Sequence, residues 1–445
     1  MERLLAALGA CCALILHPPA TAGPLTPPGA PAPTMKTLDQ VEPSVPIGPL
    51  TTPGDADALY VITQPGAYHL TADLIGQAAK HGVQISSADV TLDLRGFTLR
   101  GVATGLDGVR VGETAGPLLA NIVIRNGRSV GWGGSGVRAD RANRASLHNL
   151  FSVSNGAYGV LAGVGALVAD CTAEDNDLTN FSVAGQSIVE RCMAIRGGAD
   201  GFTGSSTTLF RQCVAFVNMG DGFRPGVGAT LVECVASGNQ GDGFDAGART
   251  VFERCSSIFD AQRGVNAGVD SSVIDCAITG AGADGVVLAD GGRMTGGAVA
   301  AVGGTGITAG AQARIDGVTV RSAGVGVSVG AASRVERCLI ANIGADGVRL
   351  TSHGAAIGNT IDSCGTSADG AGVRATDVAN RIEGNSATRC DYGVRLDAAG
   401  NVVIGNSVVG ATISAFSAPA GNAVGPVLTS ATITSAPAPN ANFAP

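Results

Sequence analysis

Six cysteines of this chain are spaced at a constant interval of 21 residues, and this interval is the strongest constraint on the fold. A glycine followed by an apolar residue recurs with nearly the same period through the middle of the chain. Towards both ends its interval stretches to as much as 28 residues, which indicates loops inserted into a repeating unit. The cysteines are Cys171, Cys192, Cys213, Cys234, Cys255 and Cys276. One structural unit is therefore copied along the chain.

A repeat of this length is compatible with a leucine-rich repeat or with a parallel β-helix. Leucine-rich repeats need several leucines per unit, whereas these units are rich in Val, Ala, Gly, Cys and Phe. The segment from Val90 to Leu94 alternates with period two, and glycine makes up 67 of 445 residues. The sequence therefore predicts an all-β fold, a single-stranded parallel β-helix (solenoid) of about 15 coils with an N-terminal cap.

In a parallel β-helix each residue stacks on its equivalent one coil away, at about 4.8 Å. The period therefore predicts which residues form interior columns. One predicted column consists of Phe181, Phe202, Phe223 and Phe244. A second consists of Val168, Val189, Phe210, Leu231, Phe252, Val273 and Met294. Stacked columns build a continuous core, because a single coil buries little by itself.

The ends of the chain differ from the repeats. Arg3, an apolar stretch and the site Ala20-Thr21-Ala22 predict a cleaved secretory signal peptide, with lipoprotein processing at Cys11 as the alternative. A proline-rich segment follows and predicts an extended linker. The expected parts are the signal peptide (1–22), the linker (23–54), the N-terminal cap and first coils (55–106), the repeats (107–410) and a C-terminal cover strand and tail (411–445).

A signal peptide implies export, so the predicted location is secreted or periplasmic, with association with the cell surface as a further alternative. No later stretch approaches the about 18 apolar residues of a membrane span. The chain has 28 Lys and Arg against 36 Asp and Glu, and its net charge is −8. Because the sequence has no basic patch, nucleic acid is not an expected partner.

The cysteine column lies in a compartment that permits disulfides. Adjacent coils bring Cα atoms within disulfide range, but equivalent side chains of a parallel stack point the same way. The sequence therefore favours a column of buried thiols over disulfides. A one-sided column also lacks the converging ligands that zinc requires.

Three segments carry a family resemblance together with the repeats: Met35-Lys36-Thr37-Leu38-Asp39, Tyr60 to Leu70, and Val90 to Leu99. The chain resembles the right-handed parallel β-helix repeat proteins, the pectate-lyase-like group, and in particular its secreted bacterial members. The resemblance implies a right-handed coil, and the stretch from Tyr60 to Leu70 is similar to a strand that covers the first coil. The group includes lyases, hydrolases, epimerases and noncatalytic adhesins, so the resemblance implies no single activity.

The catalytic motifs of the enzymes in this group are missing from the sequence. Polygalacturonase-like members carry Asn-Thr-Asp, Asp-Asp, Gly-His-Gly and Arg-Ile-Lys, and epimerase-like members carry Asp-Pro-His. The nearest strings are Lys80-His81-Gly82, Ser352-His353-Gly354, Arg314-Ile315-Asp316 and Arg381-Ile382-Glu383. The histidines are scattered without metal spacing, and we interpret His69, His81, His148 and His353 as surface or cap residues.

One charged column alternates in sign along the coils. Glu233, Arg254 and Asp275 precede the cysteines in consecutive coils, and Glu190 stacks with Arg211. Opposite charges in neighbouring strands attract each other, whereas like charges repel. This column is therefore interpreted as a solvated structural ladder that contributes little to stability.

A second charged column does not alternate. Asp200, Asp221 and Asp242 each precede a repeat glycine, and stacking would bring their carboxylates within about 5 Å of one another. A bound Ca²⁺, a raised pKa of Asp221 or nearby cations would offset the repulsion. The charged residues predicted to lie nearby are Arg224, Asp245 and Arg263.

These six residues are the candidate catalytic residues, and the three aspartates of the column are the candidate Ca²⁺ ligands. Such a cluster would bind an acidic sugar through Ca²⁺ and arginine, with a carboxyl group transferring a proton. The alternative is turn chemistry copied by the repeat, because Asp caps the backbone and Gly accepts a positive φ.

Trp132 is the candidate for sugar stacking, because pyranose faces stack on Trp or Tyr and the chain has one Trp and four Tyr. A tryptophan that covers one end of the core is the alternative interpretation.

Two classes of function remain open. The first is an exported noncatalytic surface or envelope scaffold or binding protein, which the missing motifs and scarce aromatic residues favour. The second is a polysaccharide-active enzyme of lyase, hydrolase or epimerase type on acidic glycans, which the aspartate column favours. The predicted partner is a polysaccharide or a cell-surface glycan; no cofactor is required by the sequence, and Ca²⁺ is the one candidate.

Overall fold

The computed structural model describes residues 44–113, 115–367, 369–432, 438 and 440–444. The predicted signal peptide, most of the linker and the segment Met35-Lys36-Thr37-Leu38-Asp39 lie outside the described residues. The described part of the chain consists of short β-strands, bends and turns, and it contains no helix. It accordingly has no helix that is long and apolar enough to cross a membrane.

Each coil contributes three short strands, and equivalent strands of successive coils pair in parallel to form three ladders. In one coil, Phe202–Gly204 belongs to ladder 1, Leu209–Arg211 to ladder 2 and Val214–Phe216 to ladder 3. Within the described residues ladder 1 contains seventeen strands, close to the predicted number of coils. The prediction of a parallel β-helix is confirmed.

Most strands of ladder 1 directly follow or contain a repeat glycine. The strands of this ladder are Ala58–Ile62, His81–Ile85, Val109–Val111, Val137–Ala139, Val160–Ala162, Phe181–Val183, Phe202–Gly204, Phe223–Pro225, Phe244–Ala246, Val265–Ala267, Val286–Leu288, Thr305–Ala309, Val325–Val329, Val348–Leu350, Ala371–Ala375, Tyr392–Leu396 and Ser414–Ser417.

Ladders 2 and 3 share two long strands, Ile122–Val130 and Ser146–Val153, and are otherwise separate. The other strands of ladder 2 are Val45–Pro46, Gly66–His69, Val90–Asp93, Leu167–Ala169, Ile188–Glu190, Leu209–Arg211, Thr230–Val232, Val251–Glu253, Ser272–Ile274, Arg293–Thr295, Arg314–Asp316, Arg334–Glu336, Ala355–Ile357, Arg381–Glu383, Val402–Ile404 and Ala423–Val424. Those of ladder 3 are Leu74–Ile75, Thr98–Arg100, Thr172–Glu174, Met193–Ile195, Val214–Phe216, Val235–Ser237, Ser256–Ile258, Ala277–Thr279, Ala298–Ala300, Thr319–Ala323, Leu339–Ile343, Thr360–Cys364, Ser386–Thr388, Ser407–Val409 and Asn442–Phe443. Two additional pairs are Leu119–Ala120 with Ala142–Asn143, and Val427–Leu428 with Asn442–Phe443.

At the N-terminal end, Val45 and Pro46 pair with Tyr68 and His69. The outermost described strand is therefore Val45–Pro46, the first strand of ladder 2, whereas the stretch from Tyr60 to Leu70 contains the end of the first ladder 1 strand and the second strand of ladder 2. The domain boundaries given above stay predictions.

Both predicted interior columns are confirmed. Phe181, Phe202, Phe223 and Phe244 pair in register, are fully buried and stack with ring centroids 4.8–5.1 Å apart. The second column is equally buried, and Phe210 contacts the rings of Phe202 and Phe223 edge to face. The core therefore lies between the three ladders.

All nine described cysteines are unpaired and buried, as the sequence favoured. Burial raises the pKa of the Cys213 thiol, whose Sγ lies 3.3 Å from the Arg211 carbonyl oxygen. Farther along, the column continues as asparagines, a change that the sequence analysis missed. Each Asn Oδ1 accepts hydrogen bonds from the residue one coil before it: Cys338 to Asn359, Asn359 to Asn385, Asn385 to Asn406 and Asn406 to Asn442.

The alternating charged column lies at the bend between ladders 2 and 3. Glu233, Arg254 and Asp275 have φ of 50–56°, so the bend places these residues in the left-handed region. Arg254 Nη2 lies 3.1 Å from Glu233 Oε1, and both side chains are at least two fifths exposed. The interpretation as a solvated ladder fits this geometry.

Trp132 is a core residue, and its prediction as a sugar platform is wrong. Its side chain is 1% exposed, and its Nε1 donates a hydrogen bond to the Leu99 carbonyl oxygen at 3.2 Å. A Cβ at Gly101 would lie 2.6 Å from the indole, so this glycine makes room for the ring. The ring therefore has no face for a sugar.

Candidate functional site on the outer face of ladder 1

The residue before each repeat glycine forms what we call the turn column, which contains the predicted aspartates. Asp200 Oδ1 accepts a hydrogen bond from the backbone N–H of Asp221 at 2.8 Å. Asp221 Oδ1 accepts one from Asp242, and Asp242 Oδ1 one from Arg263, both at 2.8 Å. One carboxylate oxygen of each residue thus holds the next coil, as the turn interpretation expected.

The glycines of this turn have a different function from the expected one. Gly201, Gly222 and Gly243 do not have a positive φ. Instead, a Cβ at Gly222 would lie 2.6 Å from the Gly243 carbonyl oxygen and 2.9 Å from Ala236 Cβ. Glycine is therefore required because neighbouring coils approach closely, and the expectation of a positive φ is wrong.

The second oxygens of the aspartates face Arg224. Its Nη1 lies 3.2 Å from Asp200 Oδ2, its Nη2 3.2 Å from Asp221 Oδ2, and its Nε 3.4 Å from Asp245 Oδ2. The Arg224 side chain is 56% exposed, whereas Asp200 and Asp221 are less than a tenth exposed. Arg263 Nη2 lies 2.9 Å from Asp242 Oδ2. The structure therefore brings all six predicted residues together in what we call the central cluster.

The repulsion within the column is offset in two ways. Burial raises the pKa of Asp221 to about 6, and the charge of Asp200 adds to this effect. Arg224 and Arg263 supply positive charge. In the described part of the chain, no group of three or more His, Cys, Asp or Glu side chains converges as metal ligands. The contacts therefore give no support to Ca²⁺ binding by Asp200, Asp221 and Asp242.

The outward side chains in the middle of the ladder 1 strands form a second column beside the turn column, and we call the two columns together face 1. Thr203 pairs in register with Arg224, and Asp245 pairs with Asn266. Asn266 Nδ2 donates a hydrogen bond to Asp245 Oδ1 at 2.7 Å. Face 1 thus presents arginine, carboxylate, amide and hydroxyl groups to solvent.

The sequence analysis missed a group of residues at the N-terminal end of face 1. His81 lies in the turn column, where its Nδ1 accepts a hydrogen bond from the Asp107 backbone N–H at 3.0 Å. Asp107 Oδ2 lies 3.8 Å from Arg110 Nη1. Burial lowers the pKa of His81, against the charge of Asp107. The sequence signal for this group was the position of His81 and Asp107 directly before the repeat glycines Gly82 and Gly108. The longer coils at this end of the chain obscured that signal.

A third charged group, also missed, lies towards the C-terminal end. Arg349, Arg374 and Arg395 pair in register on consecutive coils of face 1. The buried Asp346 lies 2.7 Å from Arg349, and Asp397 lies 2.8 Å from Arg374. Every arginine of this group therefore has a carboxylate or aromatic neighbour, and Arg395 also lies over the Tyr392 ring at 5.0 Å.

The outer face of ladder 3 is apolar by comparison. Phe151, Met193 and Phe216 are 43–46% exposed there, and Phe259, just after a ladder 3 strand, is 67% exposed. Aromatic side chains also contact sugars, so this face is the competing surface for a glycan.

The comparisons with known proteins agree with the coil geometry. The family model described as "right handed beta helix region" matches residues 261–408 and 302–436. The search of curated proteins finds no match. Repeats and ladders together show that this chain folds as a parallel β-helix, and the matched region is similar to the right-handed members of that fold.

Solved structures with similarity to the chain include the A-module of the Azotobacter vinelandii mannuronan C-5 epimerase AlgE6 (16% identity, TM-score 0.38, 85% of this chain and 89% of that chain). Others are the catalytic unit of a GH87 α-1,3-glucanase from Streptomyces thermodiastaticus (12%, 0.23, 90% and 68%) and an N-terminal fragment of bacteriophage Phi29 gene product 12 (12%, 0.33, 82% and 69%). At these identities and TM-scores, the similarities carry no argument about function.

Proposed function

We propose that this protein is polysaccharide-directed and binds glycan chains along face 1, with the central cluster as the main contact. The observation that carries the proposal is the placement of Arg224, a half-exposed guanidinium held by three carboxylates on the outer face of ladder 1. Carboxylates accept hydrogen bonds from sugar hydroxyls, and arginine donates to sugar oxygens. Because three carboxylates fix its geometry, Arg224 loses little conformational entropy on binding.

The central cluster also has the parts for proton transfer. With its pKa at about 6, Asp221 is present in both protonation states near neutral pH, as general acid or base catalysis requires. Asp245 lies on the other side of Arg224 and offers a second carboxylate. Paired carboxylates are the usual machinery for cleaving a glycosidic bond. An enzyme of glycosidic-bond chemistry is therefore proposed over a noncatalytic scaffold.

The charge of the cluster bears on the substrate. Four aspartates surround two arginines, which leaves an excess of negative charge. An acidic glycan, as the sequence predicted, would bind the cluster only with a cation such as Ca²⁺ between like charges. A neutral glycan would bind through its hydroxyls without one.

The test is affinity electrophoresis in gels that contain polygalacturonate, alginate, dextran or laminarin, each with and without Ca²⁺. We expect at least one polymer to retard the parent protein, and we expect Arg224→Gln to weaken that binding about tenfold. Arg254→Gln, an exposed arginine at the bend between ladders 2 and 3, is the matched control. Equal retardation of parent and Arg224→Gln, or no retardation by any polymer, would contradict the proposal.

A second assay separates an enzyme from a binding protein. New reducing ends or unsaturated products are measured with each polymer that binds. For an enzyme, Asp221→Asn removes the products while retardation in the gel persists, because Arg224 and Asp245 remain. If the parent binds a polymer but forms no products from it, the glycan-binding part of the proposal stands and the catalytic part is rejected.

A further inference from the structure

The N-terminal end of face 1 contains a cavity of about 350 Å³. It lies where two segments depart from the repeat: the turn before the first strand of ladder 1, and the segment after Val109–Val111. The coil that contains the second segment, from Gly108 to Gly136, is 28 residues long instead of 21. Inserted loops on a repeating scaffold are the usual place for binding groups.

Hydrogen-bonding side chains dominate the lining of this cavity. Its polar lining residues are Asp55, Asp57, His81, Gln84, Arg110 and Glu113. Carboxylates accept hydrogen bonds, and guanidinium and amide groups donate them, so the lining complements the several hydroxyls of a sugar ring. The volume is at the small end of the range of about 300–1,000 Å³ for small-molecule sites, which suits one sugar ring rather than a chain.

The orientation of His81 adds a hydrogen-bond donor. Since its Nδ1 accepts the Asp107 backbone N–H, the neutral imidazole carries its proton on Nε2. Burial of this histidine favours the neutral form. The charged groups around it are Asp57, Asp107, Arg110 and Arg138.

The cavity and the central cluster share the outward column of face 1. Gln84, Arg110 and Arg138 pair in register, and the next residues are Leu161, Ser182, Thr203 and Arg224. The five coil steps from Arg110 to Arg224 correspond to about 24 Å. Between Arg138 and Arg224 the column carries no charge, which leaves a path for a chain between the two sites.

We propose that this cavity, here called the chain-end pocket, binds the terminal sugar of a glycan whose following units lie along face 1 towards Arg224. This inference rests on the proposed function for the kind of ligand and adds recognition of a chain end. Asp55 helps to form the pocket, because its Oδ1 accepts hydrogen bonds from the Asp57 and Ala58 N–H groups and so fixes the turn that walls it.

The test compares hexasaccharides of galacturonate, mannuronate, α-1,4-glucose and β-1,3-glucose with the corresponding long polymers, by calorimetric titration. Glu113→Gln and Gln84→Ala are combined in one double variant, because both side chains line the cavity, Glu113 is exposed, and Gln84 Nε2 donates a hydrogen bond to Ser86 Oγ only two residues away. Glu253→Gln on the outer face of ladder 2 is the control.

We expect the double variant to bind a hexasaccharide about tenfold more weakly than the parent, and to bind the long polymer with less than a twofold change, because internal units still contact face 1. Unchanged hexasaccharide affinity in the variant would overturn the chain-end pocket, as would binding of polymers without binding of any hexasaccharide. If neither hexasaccharides nor polymers bind, the proposed function fails and the pocket fails with it.

Discussion

At Asp221 the two carboxylate oxygens have different functions. Oδ1 holds the Asp242 N–H of the next coil, whereas Oδ2 contacts Arg224 at the edge of face 1. The first contact is structural and is copied along the turn column. The second brings a buried carboxyl group next to an exposed guanidinium, and the proposed function uses this contact.

The raised pKa of Asp221 predicts a pH-dependent effect on stability. Because the folded state binds the proton more tightly than the unfolded state, the free energy of unfolding falls as the pH rises from about 4 to about 6. Asp221→Asn removes this dependence, because an amide does not titrate in this range. The amide oxygen can still accept the Asp242 N–H, so the contact between the coils is kept. Relative to the parent, the variant should gain about 1–3 kcal/mol between pH 4 and pH 7.

Urea unfolding of both proteins at the two pH values measures this difference. Asp284→Asn, in the same column with Thr308 instead of an arginine beside it, is the control. An equal stability difference between parent and Asp221→Asn at pH 4 and pH 7 would show that the carboxyl group is not protonated in this range.

Because the thiols are buried, we expect them to react slowly with thiol reagents added to the native protein. Each described cysteine is buried, so the thiols are inaccessible to reagents in solution, and burial also raises the pKa of the Cys213 thiol. A maleimide added to the native protein at pH 8 should label none of the nine, and the unfolded protein should label all of them. Met219→Cys, at a site 62% exposed, is the positive control. Rapid labelling of the native parent would contradict the buried column.

At the scale of the strand, three residues per strand suffice because equivalent positions of successive coils stack. Phe223 lies between Phe202 and Phe244 with centroid separations of 4.8 and 5.1 Å. A short strand with one inward side chain is weak alone, but it pairs on both sides. The asparagines that continue the cysteine column add backbone hydrogen bonds to the same arrangement.

Replacing one ring of the stack should destabilise the ladder. Phe223→Ala leaves a cavity in a fully buried column and should cost about 3–5 kcal/mol of unfolding free energy. Phe216→Ala, at a 46% exposed position on ladder 3, should cost less than about 1 kcal/mol. Chemical denaturation of the two variants makes the comparison. Similar losses in both would mean that the stack contributes no specific stability.

At the scale of the whole molecule, the constant 21-residue period made the interior columns and the central cluster predictable. Register follows from counting wherever the period holds, so Asp221 and Arg224 could be placed side by side. His81 and Asp107 were missed because coils of 26 and 28 residues separate their glycines from the next. Trp132 was misplaced for the same reason, since a ring inside a lengthened coil cannot be assigned to the interior by counting.

The reason why the repeat positions require glycine also could not be predicted from the sequence. Both a positive φ and a close approach of chains select glycine, and only the coordinates of Gly222 and Gly243 distinguish the two causes. The sequence likewise could not show that Arg224 contacts three carboxylates at once, because side-chain direction does not follow from period. The central aspartates of face 1 could therefore be predicted from the sequence, whereas the arrangement of face 1 as a whole required the structure.

The most direct test of glycan binding by face 1 is a crystal structure of the protein grown with a hexasaccharide from the panel above. We predict sugar rings within hydrogen-bond distance of Arg224 and Asp245, with a terminal ring in the chain-end pocket. Sugar bound instead against Phe216 on the outer face of ladder 3, with face 1 empty at a saturating concentration, would contradict the assignment of function to face 1.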